Sequence, residues 1–346
     1  MPWDGKHLLF GFGRHAFQSL LIFGSATRNW RRLWVPSYFC QEVVASFLST
    51  NLELTLYPDC PGDARPNLDE IKFRPGDVLL LVNFFGLRSK PIKNETYHSH
   101  IEVIENHTHD PWSEWARTSN ADWCLASLRK TLPLPDGAVL WSPAGHPLPP
   151  MAPPTPNHDN AALEKFAAMV LKDLYLNGHP IEKDIFRKLL VSTEQKIATG
   201  EVSGMTEWTS SLLRTFPITL WRDLRQRNHQ AISARLANLP WVEVLQPEKL
   251  LDACPFSAIL VFDSPERCFL VREKLIASRI YPAVLWPLDS PVIDGVRQRD
   301  KDFSQRMLSI HCDMRYDADE MNYVASLIHF YGEGRAEPTQ GPMTPT

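Results

Sequence analysis

Residues 123–130 read WCLASLRK. Trp123 to Ala126 is an apolar run of strand length. Ser127 and Lys130 follow at its end, three residues apart. A lysine just past a buried strand has two readings. It is a solvated surface group, or it is an amine held partly out of water. In the second case desolvation and the neighbouring Arg129 lower its pKa and make it a Schiff-base nucleophile.

Upstream, Ile101 to Ile104 reads as a strand that runs into Glu105-Asn-His-Thr-His-Asp110. Polar residues at the carboxyl end of a parallel strand face the crevice where open α/β sheets bind ligands. His107 and His109, two apart on extended chain, are expected on one side, where they could ligate a metal. No third ligand joins them in the pattern, so no metal is expected. Further upstream, Gly11-Phe-Gly13-Arg14-His15 precedes a helix over 16–23. A glycine-bearing turn at a helix N-terminus offers free N–H groups and a positive dipole end to a phosphate. The pattern is neither the dinucleotide fingerprint nor the Walker loop. Ser127-x-x-Lys130 also matches the nucleophile spacing of penicillin-binding enzymes, but the SDN and KTG elements of that chemistry are absent.

Strands are read at 52–57, 77–85 and 138–141, with a short apolar run at 33–36 and a helix at 41–49. Strands alternating with helical segments indicate a mainly parallel, helix-covered sheet. Residues 142–157 hold seven prolines and form a stiff connector. Helices follow at 159–177, 181–199 and 217–236. The last third reads as a small α+β unit, with strands at 257–262, 281–286 and 307–310 and helices at 266–278 and 319–331. Residues 1–216 are thus expected to form a large domain and 217–332 a small C-terminal one. The tail from 333 is expected to be disordered.

Composition narrows the function classes. Lys plus Arg is 36 against 40 Asp plus Glu, a formal charge of -4, which argues against a general nucleic-acid binder. No apolar run is long enough to span a membrane, and the start is no convincing signal peptide. Six cysteines without a CxxC pair read as free thiols of a reducing, cytoplasmic compartment. Asn94 and Asn106 match the glycosylation pattern by chance on this reading. Trp3, Trp30, Trp34, Trp112, Trp115 and Trp208 are core or interface residues, or line a wide pocket.

The order of these pieces resembles the fold-type I pyridoxal-phosphate (PLP) enzymes, and more closely their DegT-type, sugar-aminotransferase-like branch. GRHAFQSLL resembles the glycine-led turn and first helix, and WVPSYFC the segment beside the cofactor ring. LLLVNFFG, VIENHTH and SLRKTLPLPDGAVL resemble successive strand ends. ERCFLVREKLIASRIYPAVLWP and MLSIHCDMRYDADEMNYVASLI resemble the small C-terminal domain. The likeness covers roughly residues 10–331. It implies PLP as cofactor, with Lys130 as the Schiff-base lysine and proton carrier. Ser127 and the turn Gly13-Arg14-His15 would hold the phosphate. Asn106 would sit at the pyridine nitrogen, His109 near the ring oxygen and Tyr38, or a neighbour in 37–40, near the ring face.

The departures are Asn106 for the usual Asp, His109 for the usual Gln, Cys40 for the ring-stacking aromatic, and a Ser-to-Lys spacing two residues short. Arg315 is read as a substrate-carboxylate ligand or a structural ion pair. The resemblance further implies an aminotransferase acting on a small amino or keto substrate, built as a homodimer with shared sites. The alternatives are a PLP enzyme of another reaction type and a non-catalytic binding protein of the same fold.

Overall fold

The computed structural model describes residues 2–91, 101–151, 153–248 and 253–334. Strand β4 shows how the larger sheet forms. In chain order the strands of this sheet are β1 (His7–Phe10), β2 (Arg32–Pro36), β3 (Glu53–Tyr57), β4 (Asp77–Val82), β5 (Glu102–Asn106), β6 (Trp123–Ala126) and β7 (Ala138–Trp141). All six residues of β4 are buried, because strands and apolar clusters surround it on every side. Val78, Leu80 and Val82 enter one cluster with Leu33, Ile104 and Leu125. Leu79 and Leu81 enter the other with Val103, Cys124 and Ala126. This period of two, apolar on both faces, is the mark of a covered parallel strand.

The sheet order is β1-β7-β6-β5-β4-β2-β3. Strands β2 to β6 pair in parallel, and β7 and β1 add an antiparallel edge. The expected mixed α/β, mainly parallel sheet is therefore observed. Edge strand β1 was not anticipated from the sequence.

Helix α1 (Gly13–Thr27) extends beyond the expected 16–23, because its first turn contains the glycine turn itself. Helices α2 (Gln41–Phe47) and α3 (Glu114–Arg117) flank the sheet. The proline-rich connector ends at Thr155, whose hydroxyl accepts the His158 amide at 3.2 Å. Helix α4 (Pro156–Leu176) therefore starts on the last proline, where a missing N–H costs nothing. It pairs with α5 (Lys183–Thr199), and α6 (Glu207–Leu212) follows.

Helix α7 (Ile218–Leu236) leads into a second sheet, fully antiparallel, of order β10-β9-β8. Its strands are β8 (Val242–Val244), β9 (Ala258–Phe262) and β10 (Met307–Ile310). Helices α8 (Pro265–Ala277), α9 (Gln298–Arg306) and α10 (Ala318–Gly332) complete this part. The expected strand at 281–286 is corrected. Only Ala283 bridges to Ser309, because Pro282 lacks an N–H and Pro287 ends the segment. The Trp286 amide bonds instead to the Tyr38 hydroxyl at 3.0 Å.

The two parts meet closely at Gly86, whose φ is +70°, and a Cβ there would lie 2.4 Å from the Cys254 carbonyl oxygen. Phe256 donates its amide to the Phe85 carbonyl at 2.7 Å. The six cysteines are free thiols. Trp3, Trp30 and Trp115 belong to the core. The expected tail begins on Glu333 and Gly334, which close α10, and its remainder lies outside the described residues, as does Asn94. No helix among the described residues is long and apolar enough to cross a membrane.

Candidate active site

Because β2 to β6 run in parallel, their carboxyl ends share one edge of the sheet. The chain leaves β2 through Ser37 to Cys40, β4 through Asn83 to Gly86, β5 through Asn106 to Asp110, and β6 through Ser127 to Lys130. This is the edge at which α/β sheets bind ligands.

The N-terminus of α1 is brought to the end of β6. Its N-cap residue, Phe12, offers no side-chain cap, so the first-turn amides keep their bonding capacity. Gly13 allows a close approach, since a Cβ there would lie 3.2 Å from the Ser127 Cβ and 3.6 Å from its Oγ. The Ser127 amide is fixed by the Thr108 hydroxyl at 3.1 Å. Cations surround this cradle. Arg14 reaches Glu42 at 3.4 Å, and Arg129 lies 4.0 Å over the Phe12 ring. The uncapped helix end, the hydroxyl and the cations form a donor set suited to a phosphate. His15 instead points into the interior. It is buried, its Nδ1 accepts the Ser203 amide at 3.4 Å, and burial and His158 push its pKa down to about 4. Only its backbone belongs to the cradle.

Lys130 sits on the 3-10 turn after β6, exposed to a cleft of about 570 Å³. Desolvation in the crowded cleft, followed by the charge of Arg129, holds its amine below the usual lysine range. Arg129 is clamped by Glu194 at 3.1 and 2.5 Å, and Lys165 meets the same carboxylate at 2.6 Å. Cys40 lies close enough for its thiol and the Lys130 amine to influence each other.

The end of β5 supplies two groups whose hydrogen bonds fix what they can still do. Asn106 accepts the Thr108 amide through Oδ1 at 3.0 Å. A backbone N–H can only donate, so the amide orientation is set and Nδ2 is left as a donor. His109 accepts the Phe85 amide through Nδ1 at 3.0 Å. Burial and the charge of Lys130 push its pKa down to about 3, so the ring is neutral and carries its proton on Nε2. The His109 ring stacks on Trp286 (5.6 Å, 24°) and Phe85 (5.4 Å, 26°).

The structure therefore gathers Gly13, Arg14, Ser127, Asn106, His109 and Lys130 along one edge. Two expectations need correction. Tyr38 is fully buried between Phe84 and Phe303 and bonds the Leu285 carbonyl, so it offers no free ring face. Cys40 is the residue of that segment beside Lys130. His107 does not face the same side as His109. The strand geometry persists only to His107, whose ring packs on Trp115 and Trp141 behind the sheet, while the chain turns before His109. Arg315 lines the Lys130 cleft but is held by Asp313 at 2.8 and 2.7 Å. Lys165 and Glu194 carried no local sequence signal, because they approach Arg129 only through the pairing of α4 with α5.

No family model matches the sequence, and no curated protein matches it. Solved structures share its architecture. Spr1654 of Streptococcus pneumoniae, assigned as a sugar aminotransferase and solved in its PLP form, has a TM-score of 0.61 at 12% identity, over 95% of this chain and 87% of that one. PseC of Helicobacter pylori, an aminotransferase of pseudoaminic acid biosynthesis, gives 0.61 at 13%, over 96% and 88%. A DegT DnrJ EryC1 StrS aminotransferase of Brucella abortus gives 0.59 at 13%, over 95% and 86%. What is common at these identities is the fold: the chain shares the architecture of these aminotransferases.

Proposed function

We propose that the protein is a PLP-dependent enzyme of aminotransferase type, acting on a small amino or keto substrate in the biosynthesis of a sugar or specialised metabolite. The observation that carries this is the placing of Lys130, with its lowered pKa, beside the uncapped N-terminus of α1 and Ser127. The amides of Gly13 and Arg14, the Ser127 hydroxyl and the Arg14 guanidinium would hold the cofactor phosphate. Lys130 would hold the aldehyde carbon. Asn106 would face the ring nitrogen, and His109 would donate from Nε2 to the ring oxygen. When bound, the cofactor supplies an electron sink for a carbanion at the substrate's α-carbon.

The chain's own part is to orient, to exclude water and to carry a proton. Lys130 Nζ is the proton carrier, and its lowered pKa increases the fraction of free amine near neutral pH. Arg225, Lys172 and Arg315, against Asp173 and Asp313, give the cleft a surplus of cations and support an anionic substrate group.

The division into residues 1–216 and 217–332 is part of this proposal. It is supported by the second sheet's own core, which runs from Ile232 to Tyr331. So is a homodimer with shared sites in the cytoplasm. Leu163, Phe166 and Val170 lie exposed along one face of α4 and support a partner surface there. The test is reduction of the purified protein with borohydride in the presence of PLP. A pyridoxyl group on the Lys130 peptide supports the reading, and no attachment anywhere in the chain overturns it.

One observation favours a second reading, a PLP enzyme of another reaction type. With its Oδ1 engaged by the Thr108 amide, Asn106 would present its NH₂ group to the ring nitrogen, which favours an unprotonated ring and weakens the electron sink. A screen of amino donors against keto acceptors separates the two readings.

A further inference from the structure

Behind the sheet, on the face opposite Asn106, lies a polar cluster that the proposed chemistry does not use. Glu105 and His107 sit two residues apart at the end of β5 and project to the same side. Cys124 of β6 is the register partner of Glu105. The three side chains are buried, at 4%, 0% and 0% exposure. Their donor atoms all lie within 4.8 Å of one another. His107 Nε2 is 3.0 Å from Glu105 Oε2, and Cys124 Sγ is 3.6 Å from the same oxygen. Ser119 Oγ closes the group, 2.6 Å from that oxygen and 3.3 Å from the sulfur. Trp115 and Trp141 flank the imidazole.

We propose that Glu105, His107 and Cys124 form a structural site for one zinc-like divalent cation, with Ser119 or a water as the fourth ligand. The spacing fits. Tetrahedral zinc with ordinary bond lengths sets O···N and O···S edges of roughly 3.4 and 3.6 Å, against 3.0 and 3.6 Å between these atoms, so the O···S edge is already met and the O···N edge has only to open slightly. The charges fit as well. A thiolate, a carboxylate and a neutral imidazole cancel a dication. The hydrogen bonds point the same way. Three donors crowd one carboxylate oxygen, the position a ligated cation would take over. The ligands come from two paired strands and are fixed by the sheet ladder, as a rigid structural site requires.

The experiment uses the full chain, produced in zinc-supplemented cells and purified without chelator. Metal content is measured by elemental analysis, and the spectrum is recorded after exchange with Co²⁺. The expected result is about one zinc per chain and a near-ultraviolet thiolate-to-cobalt band. Cys124→Ala should lose the band and His107→Ala should weaken binding at least ~100-fold, while Cys40→Ala keeps both. Circular dichroism confirms the fold of each variant. If Cys124→Ala does not fold, His107→Ala and the wild-type metal content decide. Folded wild type without stoichiometric metal overturns the proposal, as does a band that survives Cys124→Ala.

Discussion

The two faces of the β5–β6 pair make opposite use of polar residues. On the front, Asn106, Ser127 and His109 each spend one group on the backbone or its neighbours and keep another facing the edge of the sheet. On the back, Glu105, His107, Cys124 and Ser119 spend their groups on one another. The front has spare bonding capacity. The back is closed on itself. A bonded residue is thus informative through the group it leaves free, since the buried partner bond fixes tautomer and orientation.

The sharpest way to break the front face is Lys130→Ala. Turnover should fall by a factor on the order of 10³ or more, and cofactor-dependent absorbance should disappear while the thermal transition stays. Unchanged turnover in this variant would place the chemistry elsewhere. Next comes Asn106→Asp, which on the proposed reading would put a carboxylate at the ring nitrogen. Nitrogen NMR on labelled cofactor should show the ring becoming protonated, and the amino-transfer half-reaction should quicken by about tenfold, equivalent to ~1.4 kcal/mol. An identical ring state in wild type and variant would remove Asn106 from that role. Gly13→Ala should weaken PLP binding by a similar factor in a fluorescence titration, because the added methyl presses on Ser127.

Smaller effects concern the folded state. His15 and His109 have native pKa values pushed from 6.5 down to about 4 and about 3. The unfolded chain binds these protons first, so stability is full above pH 6.5 and declines as pH falls from there towards 3. Denaturant midpoints followed across that window should show His109→Gln declining less steeply than wild type. The smallest change is Tyr38→Phe, which removes the hydroxyl held between Leu285 and Trp286 and should cost about 1 kcal/mol in chemical unfolding.

The parts of this molecule that were legible in the sequence are those governed by local pattern. Strands β6, β7 and β10 fall on the residues that the apolar runs mark, and β4 begins where its run begins. The Ser127–Lys130 pair was legible because a strand end fixes where both residues emerge. Strand β1 was not, since His7 to Phe10 has a single fully buried residue and a partner more than a hundred positions away. Helix α9 was not, because Gln298 to Arg306 is almost wholly polar around Phe303. Position 38 was misplaced because a Tyr fits a site or a core equally well, and only the Leu285–Trp286 segment, remote in sequence, decides between them. His107 and His109 were put on one face because extended geometry was carried two residues too far.

Gly86 has a consequence for motion. Lobed enzymes often close over substrate by swinging one part against the other on a hinge. Here the Phe85–Gly86 turn touches the Cys254 carbonyl and binds the Phe256 amide, while Asp110 accepts the Cys254 amide at 3.1 Å. Backbone and side-chain bonds thus suture the two parts, and a swing of one against the other would break them together. The Phe256 amide should therefore exchange with deuterium as slowly as the amides of β4.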